Sequence, residues 1–270
     1  MNICFIGGGN MANALIGGML GKGFNAARVS VVEIDPQSRA RLQAQFGVRA
    51  VEGVDDGVRG SDIIVLAVKP QQLREVAQQL SALLDGQLLI SIAAGIRAGD
   101  LARWAGSGAV VRAMPNTPAL IGSGMSGLYA LPAVSEAQRA QAQDILAAVG
   151  ETLWLEEEVM LDAVTAISGS GPAYVFYFIE ALQKAGVELG LSGADARRLS
   201  LATFLGAGKL AAASEEEVSV LRARVTSKNG TTERALLSLT ANRVDEHIVQ
   251  AARAAADRAK EMGDELGAQS

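Results

Sequence analysis

The chain opens with a short apolar segment that runs directly into a glycine-rich turn. Residues 3–6 read ICFI and residues 7–12 read GGGNMA. In this G-x-G-x-x-A spacing the first glycine permits a tight turn, the second lets the backbone approach a pyrophosphate, and the small last residue lets the following helix pack on the strand. The spacing predicts a helix whose free N–H groups favour the phosphates of a dinucleotide. An ordinary strand-to-helix turn would also account for the glycines alone.

The composition narrows the class of protein. At 270 residues, 49% of them hydrophobic, the chain is long enough for two domains with cores of their own. The single cysteine, Cys4, excludes an internal disulfide, and one cysteine with one histidine leaves too few ligands for a zinc site. The net charge of −5 argues against nucleic acid as the main partner. Because no apolar run reaches membrane length and no secretory signal precedes the first strand, we expect a soluble, cytoplasmic protein.

The periodicity of the apolar residues changes once along the chain. Residues 1–155 alternate short β runs with helical stretches, which is typical of a parallel α/β sheet. From Glu156 onward the strand signals stop and long helical stretches follow. We therefore predict a dinucleotide-binding α/β domain over 1–155 and an all-helical domain over 156–270.

One predicted helix, over residues 172–189, is apolar on nearly every side in its first half, where it reads AYVFYFI. A helix of this kind needs partners all round, more than a small helical domain provides. The pattern favours an intertwined dimer built by the second half of the chain. A helix buried within one monomer is the alternative.

Small or unusual residues follow several predicted strands. In doubly wound sheets ligands lie beyond the carboxyl ends of the strands, which draws attention to residues 7–9, 67–70, 93–95 and 114–118. Alanines at 93 and 94 leave room for a flat ring, and Asn116, on a stiff loop between two prolines, presents an amide. Taken singly, the prolines and Asn116 are also what a rigid turn requires.

Two loops in the second half are rich in hydroxyls, and each precedes a predicted helix. They read SGSGP at 168–172 and TSKNGTT at 226–232. Backbone N–H groups and hydroxyls at a helix amino end suit a carboxylate, whereas N-capping explains only one hydroxyl in each loop. The one histidine, His247, lies among charged residues of the last helix and is expected to be a surface residue. Because oxidising an alcohol requires a base and reducing a protonated C=N bond does not, the sequence favours imine reduction.

Six ordered motifs, which together span essentially the whole chain, resemble pyrroline-5-carboxylate reductases. They are FIGGGNMA at 5–12, AVKP at 67–70, SIAAG at 91–95, RAMPNTP at 112–118, SGSGPAY at 168–174 and VTSKNGTT at 225–232. The resemblance implies an N-terminal Rossmann domain followed by an all-helical dimerisation domain, assembled as a homodimer or decamer. It also implies reduction of 1-pyrroline-5-carboxylate to L-proline, the last step of proline biosynthesis, with NADH or NADPH.

The resemblance also assigns roles to individual residues. Those expected to bind the cofactor are Gly7, Gly8, Gly9, Asn10, Met11, Glu33, Ala67, Val68, Lys69, Pro70, Ala93, Ala94 and Asn116. Those expected to bind substrate are Glu215, Ser227, Asn229, Gly230, Thr231 and Thr232. The hydroxyls of Thr232 and Ser170 are the catalytic candidates. The family usually shows Ser-Pro-Gly-Gly in the last loop. Here Lys228 and Asn229 take the middle positions, and Asn tolerates a left-handed backbone.

The end of the second predicted strand bears on the choice of cofactor. It reads Glu33-Ile34-Asp35, where relatives that use NADP tend to carry Ser, Thr, Asn or Arg. An acidic side chain there accepts hydrogen bonds from a ribose 2′-hydroxyl and repels a 2′-phosphate, so we expect NADH to serve at least as well as NADPH. Arg39 and Arg41 are close enough in sequence to offset that charge, or they are only solvated.

Three rival functions are weighed against imine reduction of this substrate. A β-hydroxyacid dehydrogenase would place a catalytic lysine in the long interdomain helix, but residues 171–176 read GPAYVF and Lys184 comes two to three turns later. A reductase of another cyclic imine is harder to exclude. A nucleotide sensor without turnover would have no use for two hydroxyl-rich loops.

Overall fold

The structure is a computed structural model that describes residues 1–268. Within that range eight strands form one sheet in the order β3-β2-β1-β4-β5-β6-β7-β8. The strands are β1 Ile3–Ile6, β2 Val29–Val32, β3 Arg49–Val51, β4 Ile63–Leu66, β5 Leu88–Ser91, β6 Val110–Met114, β7 Gly124–Ala130 and β8 Gly150–Trp154. The order of the first six is that of a doubly wound dinucleotide fold, so the predicted α/β architecture is confirmed.

The sheet is parallel, as predicted, except at one edge. Strands β1 to β6 are parallel, but β7 runs antiparallel to β6, with Ala113 opposite Leu128, and β8 runs parallel to β7. The connection from β6 to β7 is a single short 3₁₀ turn over Thr117–Ile121, which is too short for a parallel crossover. The chain therefore reverses direction at this edge.

Six helices accompany the sheet: α1 Asn10–Gly21, α2 Pro36–Phe46, α3 Val54–Val58, α4 Pro70–Ser81, α5 Ala98–Ala105 and α6 Glu136–Ala147. The sequence did not predict α5, which has only eight residues. Apolar side chains cover both faces of the sheet. One cluster is centred on Phe5 and Val65, and the other on Ile64 and Leu89. Burial on both faces explains why these strands read as continuous apolar runs rather than alternating ones.

After β8 the described chain is helical, as predicted. The helices are α7 Met160–Val164, α8 Gly171–Glu188, α9 Gly193–Ala212, α10 Val218–Arg224, α11 Thr231–Ala241 and α12 Val244–Gly267, with a π-helical turn over Thr165–Gly169 between α7 and α8. Within residues 1–268 no helix is both long and apolar enough to cross a membrane.

The chain divides into two compact units. The first unit comprises Met1–Ser170 and the chain from Ala255 onward, and the second comprises Gly171–Ala254. The boundary predicted between residues 155 and 156 lies inside the first unit, and that domain assignment remains a prediction. The second unit exposes many large apolar side chains, among them Phe176 at 60%, Tyr177 at 71% and Leu205 at 61%.

Candidate active site

The glycine-rich turn after β1 has the conformation that its sequence predicts. Gly7 has φ +101°, and a Cβ at this position would lie 2.7 Å from the carbonyl oxygen of Ala67. A Cβ at Gly9 would meet nothing within 4 Å. Gly9 is also the N-cap of α1, and no side chain caps it. Open space therefore lies over an uncapped helix amino end, which fits the pyrophosphate of a dinucleotide.

The side chain of Asn13 holds this turn in place. Its Nδ2 donates to the carbonyl oxygens of Gly8 and Gly9, at 2.8 Å each. With these carbonyls engaged, the turn is held in place, and the first N–H groups of α1, which have no partner within the helix, face the open space beside Gly9. Sequence reasoning missed Asn13, although an amide in the first turn of a helix after a glycine turn is a recognisable signal.

A cleft of about 530 Å³ lies at the carboxyl ends of the strands, beside this turn. Six of the predicted cofactor residues line it: Gly7, Gly9, Glu33, Ala67, Val68 and Lys69. The other predicted cofactor residues are not among its lining residues. They are Gly8, Asn10, Met11, Pro70, Ala93, Ala94 and Asn116. Glu52 and Glu75 line the cleft as well, so its walls carry more negative than positive charge.

Glu33 joins the end of β2 to the glycine turn. Its Oε2 accepts a hydrogen bond from the N–H of Gly8 at 2.9 Å, and its Oε1 accepts one from the N–H of Asp35 at 3.0 Å. The carboxylate of Asp35 caps α2 by accepting from the N–H of Ser38 at 2.8 Å, and its hydrogen bonds with Ser38 lower its pKa. Carboxylates of the protein thus already occupy the backbone donors in this corner of the cleft.

The guanidinium of Arg39 is hydrogen-bonded to other groups of the protein rather than only to solvent. Its Nη1 donates to the carbonyl oxygens of Glu33 and Ile34, at 2.7 and 2.8 Å. Its Nη2 forms an ion pair of 3.1 Å with Glu52. The cation expected to offset the charge of Glu33 is therefore already paired.

Asn116 is buried and uses its amide within the protein. Its Nδ2 donates to the carbonyl oxygen of Ser168 at 3.0 Å, and its Oδ1 accepts from the N–H of Met125 at 2.9 Å. It therefore holds the end of β6 against the first hydroxyl-rich loop. Its predicted contact with the cofactor stays a prediction.

A cluster of buried charges, which sequence reasoning missed, lies beside the same strand end. Arg112 of β6 pairs with Glu158 at 3.0 Å and approaches Asp162 to 3.9 Å. The Glu158 carboxylate also accepts from the N–H of Ala98, at the start of α5, at 2.7 Å. Burial raises the pKa of Asp162 although Arg112 lowers it. The cluster ties α5 and α7 to the sheet.

The second hydroxyl-rich loop, residues 226–232, ends at the amino terminus of α11. Asn229 has φ +60°, which confirms that asparagine takes a left-handed conformation here. Its N–H donates to the carboxylate of Glu233 at 2.7 Å. Gly230 is the N-cap of α11 and no side chain caps it, while Thr232 is half-buried in the first turn. The loop therefore presents an uncapped helix amino end flanked by hydroxyls.

The remaining predicted residues of the second unit are less enclosed. Glu215, Ser227, Thr231 and Lys228 are exposed. His247 is also exposed, as predicted, and lines an apolar cavity of about 220 Å³ with Tyr174 and Phe178. The buried hydroxyl of Tyr174 has no hydrogen-bond partner in the described part of the chain. Over residues 1–268 no three His, Cys, Asp or Glu side chains form a group able to hold a metal.

The first hydroxyl-rich loop belongs to the π-helical turn before α8. Ser170 lies in the first unit and is half-buried, and its N–H donates to the carbonyl oxygen of Thr165 at 2.8 Å, which closes the turn. The hydroxyl of Ser168 donates to the carbonyl oxygen of Val164 at 3.0 Å. The Ser168 hydroxyl is therefore engaged within the protein, and the catalytic role of Ser170 stays a prediction.

Two family models match separate stretches of the chain. One, described as pyrroline-5-carboxylate reductase dimerisation, matches residues 158–262. The other, described as NADP oxidoreductase, coenzyme F420-dependent, matches residues 2–95. The first match covers most of the helical part, and the second covers β1 to β5 with the glycine turn.

Whole-length relatives are found as well. The chain is 48% identical over 98% of its length to a pyrroline-5-carboxylate reductase from Pseudomonas aeruginosa, of which it covers 98%. It is similar to the structure of a pyrroline-5-carboxylate reductase from Coxiella burnetii, with a TM-score of 0.93 and 38% identity over 97% of this chain and 98% of that one. A Plasmodium falciparum pyrroline carboxylate reductase with NADP bound aligns with a TM-score of 0.87 and 31% identity, over the same shares of the two chains.

Proposed function

The chain belongs to the pyrroline-5-carboxylate reductase family, and we propose that it reduces 1-pyrroline-5-carboxylate to L-proline with a hydride from NADH or NADPH. The observation that carries this function in the structure is the glycine turn. Open space at Gly9, the uncapped amino end of α1 and the adjacent cleft together form a dinucleotide cradle. When bound, the reduced nicotinamide supplies the hydride.

The residues proposed to hold the cofactor are those predicted from the motifs, apart from Asn116. The N–H groups of Asn10 and Met11, at the start of α1, bind the pyrophosphate. Residues 67–70 flank the cofactor at the end of β4, and Ala93 and Ala94 leave space for the nicotinamide end. Asn13 and Asn116 act as positioning residues, because their amides are bound to the protein itself.

The substrate carboxylate binds at the amino end of α11. The N–H groups of Thr231 and Thr232 and the hydroxyls of this loop favour an anion there. The N–H of Asn229 already donates to the carboxylate of Glu233, and the N–H of Gly230 donates to the carbonyl oxygen of Ser227 at 3.0 Å, so the two donors that follow carry the site. Ser227 and Glu215 complete the pocket, and Lys228 adds a cation beside it.

The hydroxyl of Thr232 orients the imine nitrogen, and that of Ser170 is the second candidate for this role. Reduction adds a hydride to the ring carbon of the C=N bond and leaves the proton on nitrogen, so a protonated imine needs no separate base. This fits a chain whose only histidine, His247, lies in the last helix.

We further propose that NADH serves at least as well as NADPH. Glu33 lines the cleft at the end of β2, and Arg39, the nearest candidate for binding a 2′-phosphate, is paired with Glu52. A 2′-phosphate would therefore meet two carboxylates and no free guanidinium from this corner.

The active protein is proposed to be a cytoplasmic homodimer, assembled further into decamers as the family resemblance implies. The exposed apolar side chains of α8 and α9 and the match to a dimerisation model support the dimer. A partner would also cover the apolar cavity beside Tyr174.

A spectrophotometric assay tests the activity. Oxidation of NADH is followed after addition of 1-pyrroline-5-carboxylate, and L-proline is quantified by amino-acid analysis. Stoichiometric formation of proline is the expected result. Reduction of another cyclic imine at a higher kcat/KM would instead identify a different substrate, and cofactor binding without turnover would identify a sensor.

A further inference from the structure

A basic cavity lies at the amino-terminal end of the sheet, opposite the cofactor cleft. It has a volume of about 200 Å³ and is lined by Arg28, Arg49, Arg59, Asn2, Ser30 and Ser61, among others. Ile3 and Val29, the first residues of β1 and β2, lie in its wall, whereas Ile6 and Val32, the last residues of the same strands, line the cofactor cleft. We propose that the basic cavity binds a small phosphoryl anion such as inorganic phosphate.

The first observation that supports this site is that no acidic side chain that the structure describes neutralises the arginines that line the cavity. No aspartate or glutamate lines the basic cavity. Within residues 1–268 no salt bridge involves Arg28, Arg49 or Arg59. Three exposed arginines therefore line one cavity in a protein whose net charge is −5. Like charges brought together repel one another, and an anion bound between them removes that repulsion.

Two acidic residues close to the basic cavity form no salt bridge with its arginines in the described part of the chain. Asp62, the residue after Ser61, accepts from the N–H of Asn2 at 2.7 Å and approaches the terminal amino group to 3.8 Å. Asp56 meets Arg49 only through its backbone carbonyl, to which Nη1 of Arg49 donates at 3.0 Å. The charge of Arg49 is thus not neutralised by that contact, and its other N–H groups remain as donors.

The chemistry and the size of the cavity indicate the class of anion. A guanidinium presents five N–H donors in a planar fork that matches phosphate oxygens, so several arginines around one space favour a phosphoryl group over a single carboxylate. Pockets for drug-sized ligands span about 300–1,000 Å³. A cavity of about 200 Å³ therefore suits an anion of the size of phosphate or pyrophosphate rather than a whole nucleotide.

The test measures phosphate binding to the full-length protein with NAD⁺ present at saturation, so that phosphate does not occupy the glycine turn. The melting temperature is followed as inorganic phosphate is added, and sodium chloride at equal ionic strength is the salt control. The variants are Arg59→Gln, the double variant Arg28→Gln/Arg59→Gln, and Arg41→Gln as a matched control, because Arg41 is exposed on α2 outside the cavity.

Phosphate is expected to raise the melting temperature of the unmodified protein more than chloride does. In Arg59→Gln the apparent Kd for phosphate should rise at least about tenfold, as expected when a hydrogen bond to a charged group is lost. The double variant should lose the effect, and Arg41→Gln should retain it. NADH-dependent turnover should be unchanged in all three variants. An equal response to phosphate and chloride, or an unchanged phosphate affinity in the double variant, would overturn the proposal. General stabilisation by phosphate would appear equally in every variant and would overturn it too.

Discussion

The carboxylate of Glu33 and the backbone N–H of Gly8 are joined by a hydrogen bond of 2.9 Å, which links the end of β2 to the glycine turn. In dinucleotide-binding folds, an acidic residue at this strand end accepts a hydrogen bond from a ribose hydroxyl of the cofactor. Here the same side chain also holds the turn that we propose receives the pyrophosphate. In that proposal, cofactor selection and the geometry of the turn depend on one residue.

Replacing Glu33 by Ser is expected to move cofactor selection toward NADPH. The change removes a carboxylate from the cleft and frees the N–H groups of Gly8 and Asp35. The ratio of kcat/KM for NADPH to that for NADH should rise by about tenfold or more, as for one altered hydrogen bond to a charged group. Glu75→Gln is the matched control, since it removes a charge from the cleft wall without freeing these donors. If the ratio of kcat/KM for NADPH to that for NADH changed equally in both variants, cofactor selection would depend only on the net charge of the cleft.

Gly9→Val should abolish cofactor binding while leaving the fold intact. A Cβ here meets no heavy atom within 4 Å apart from its chain neighbours, and the valine side chain would fill the space proposed for the pyrophosphate. We expect Kd for NADH, measured by fluorescence titration, to rise at least about a hundredfold, as for two lost hydrogen bonds to a charged group. Gly99→Val is the control, because a Cβ there is also unobstructed and Gly99 lies in α5. If Gly9→Val kept its affinity for NADH, the pyrophosphate would not bind in the open space at Gly9.

Thr232→Ala should raise KM for the substrate about tenfold, because the carboxylate or the imine loses one hydrogen bond. KM for NADH and the melting temperature should stay unchanged. Thr240→Ala, at an exposed position of the same helix, is the control. If KM for the substrate does not move in Thr232→Ala, Thr232 does not belong to the site.

The half-buried carboxyl of Asp162 predicts a pH dependence of stability. Burial raises its pKa above the ordinary value of 3.8, so the folded protein holds this proton more tightly than the unfolded chain does. The free energy of unfolding of the unmodified protein should therefore fall relative to that of Asp162→Asn as pH rises through and above 3.8. The change should stay below about 1 kcal/mol, since the group is only partly buried and Arg112 opposes the shift. Urea unfolding of both proteins at several pH values measures it, and a difference that is constant with pH would contradict it.

Phe176→Glu should dissociate the proposed dimer. Phe176 is exposed on α8 in the isolated chain, and a charge at a buried interface position is costly. Sedimentation velocity should show a smaller species, with far-UV circular dichroism unchanged. Leu83→Glu is the control, because Leu83 is an exposed apolar residue outside the stretch matched by the dimerisation model. An unchanged sedimentation coefficient for Phe176→Glu would place the interface elsewhere.

Much of the fold could be predicted because its signals are local. The turn at Gly7, the helix over Pro36–Phe46 and the apolar strand around Val65 each depend on residues that are adjacent in the chain. Helix α5 was missed although its buried residues, Ala98, Leu101, Trp104 and Ala105, follow a helical spacing. The antiparallel direction of β7 was missed because it depends on the length of the connection from β6. The spacing of apolar residues within a strand is the same for either direction.

The sequence by itself determined the chemistry of this protein. It specified the glycine turn, the acidic end of β2, the hydroxyl-rich loop before α11 and the lack of a histidine base, because each is a matter of residue type and spacing. Only the tertiary structure decided how those groups are used. It bound the amide of Asn116 within the protein, paired Arg39 with Glu52, buried Arg112 beside carboxylates and placed Arg28, Arg49 and Arg59 around one cavity. The physical reason is that hydrogen bonds and ion pairs act over a few ångströms in space between residues that the sequence separates by tens of positions.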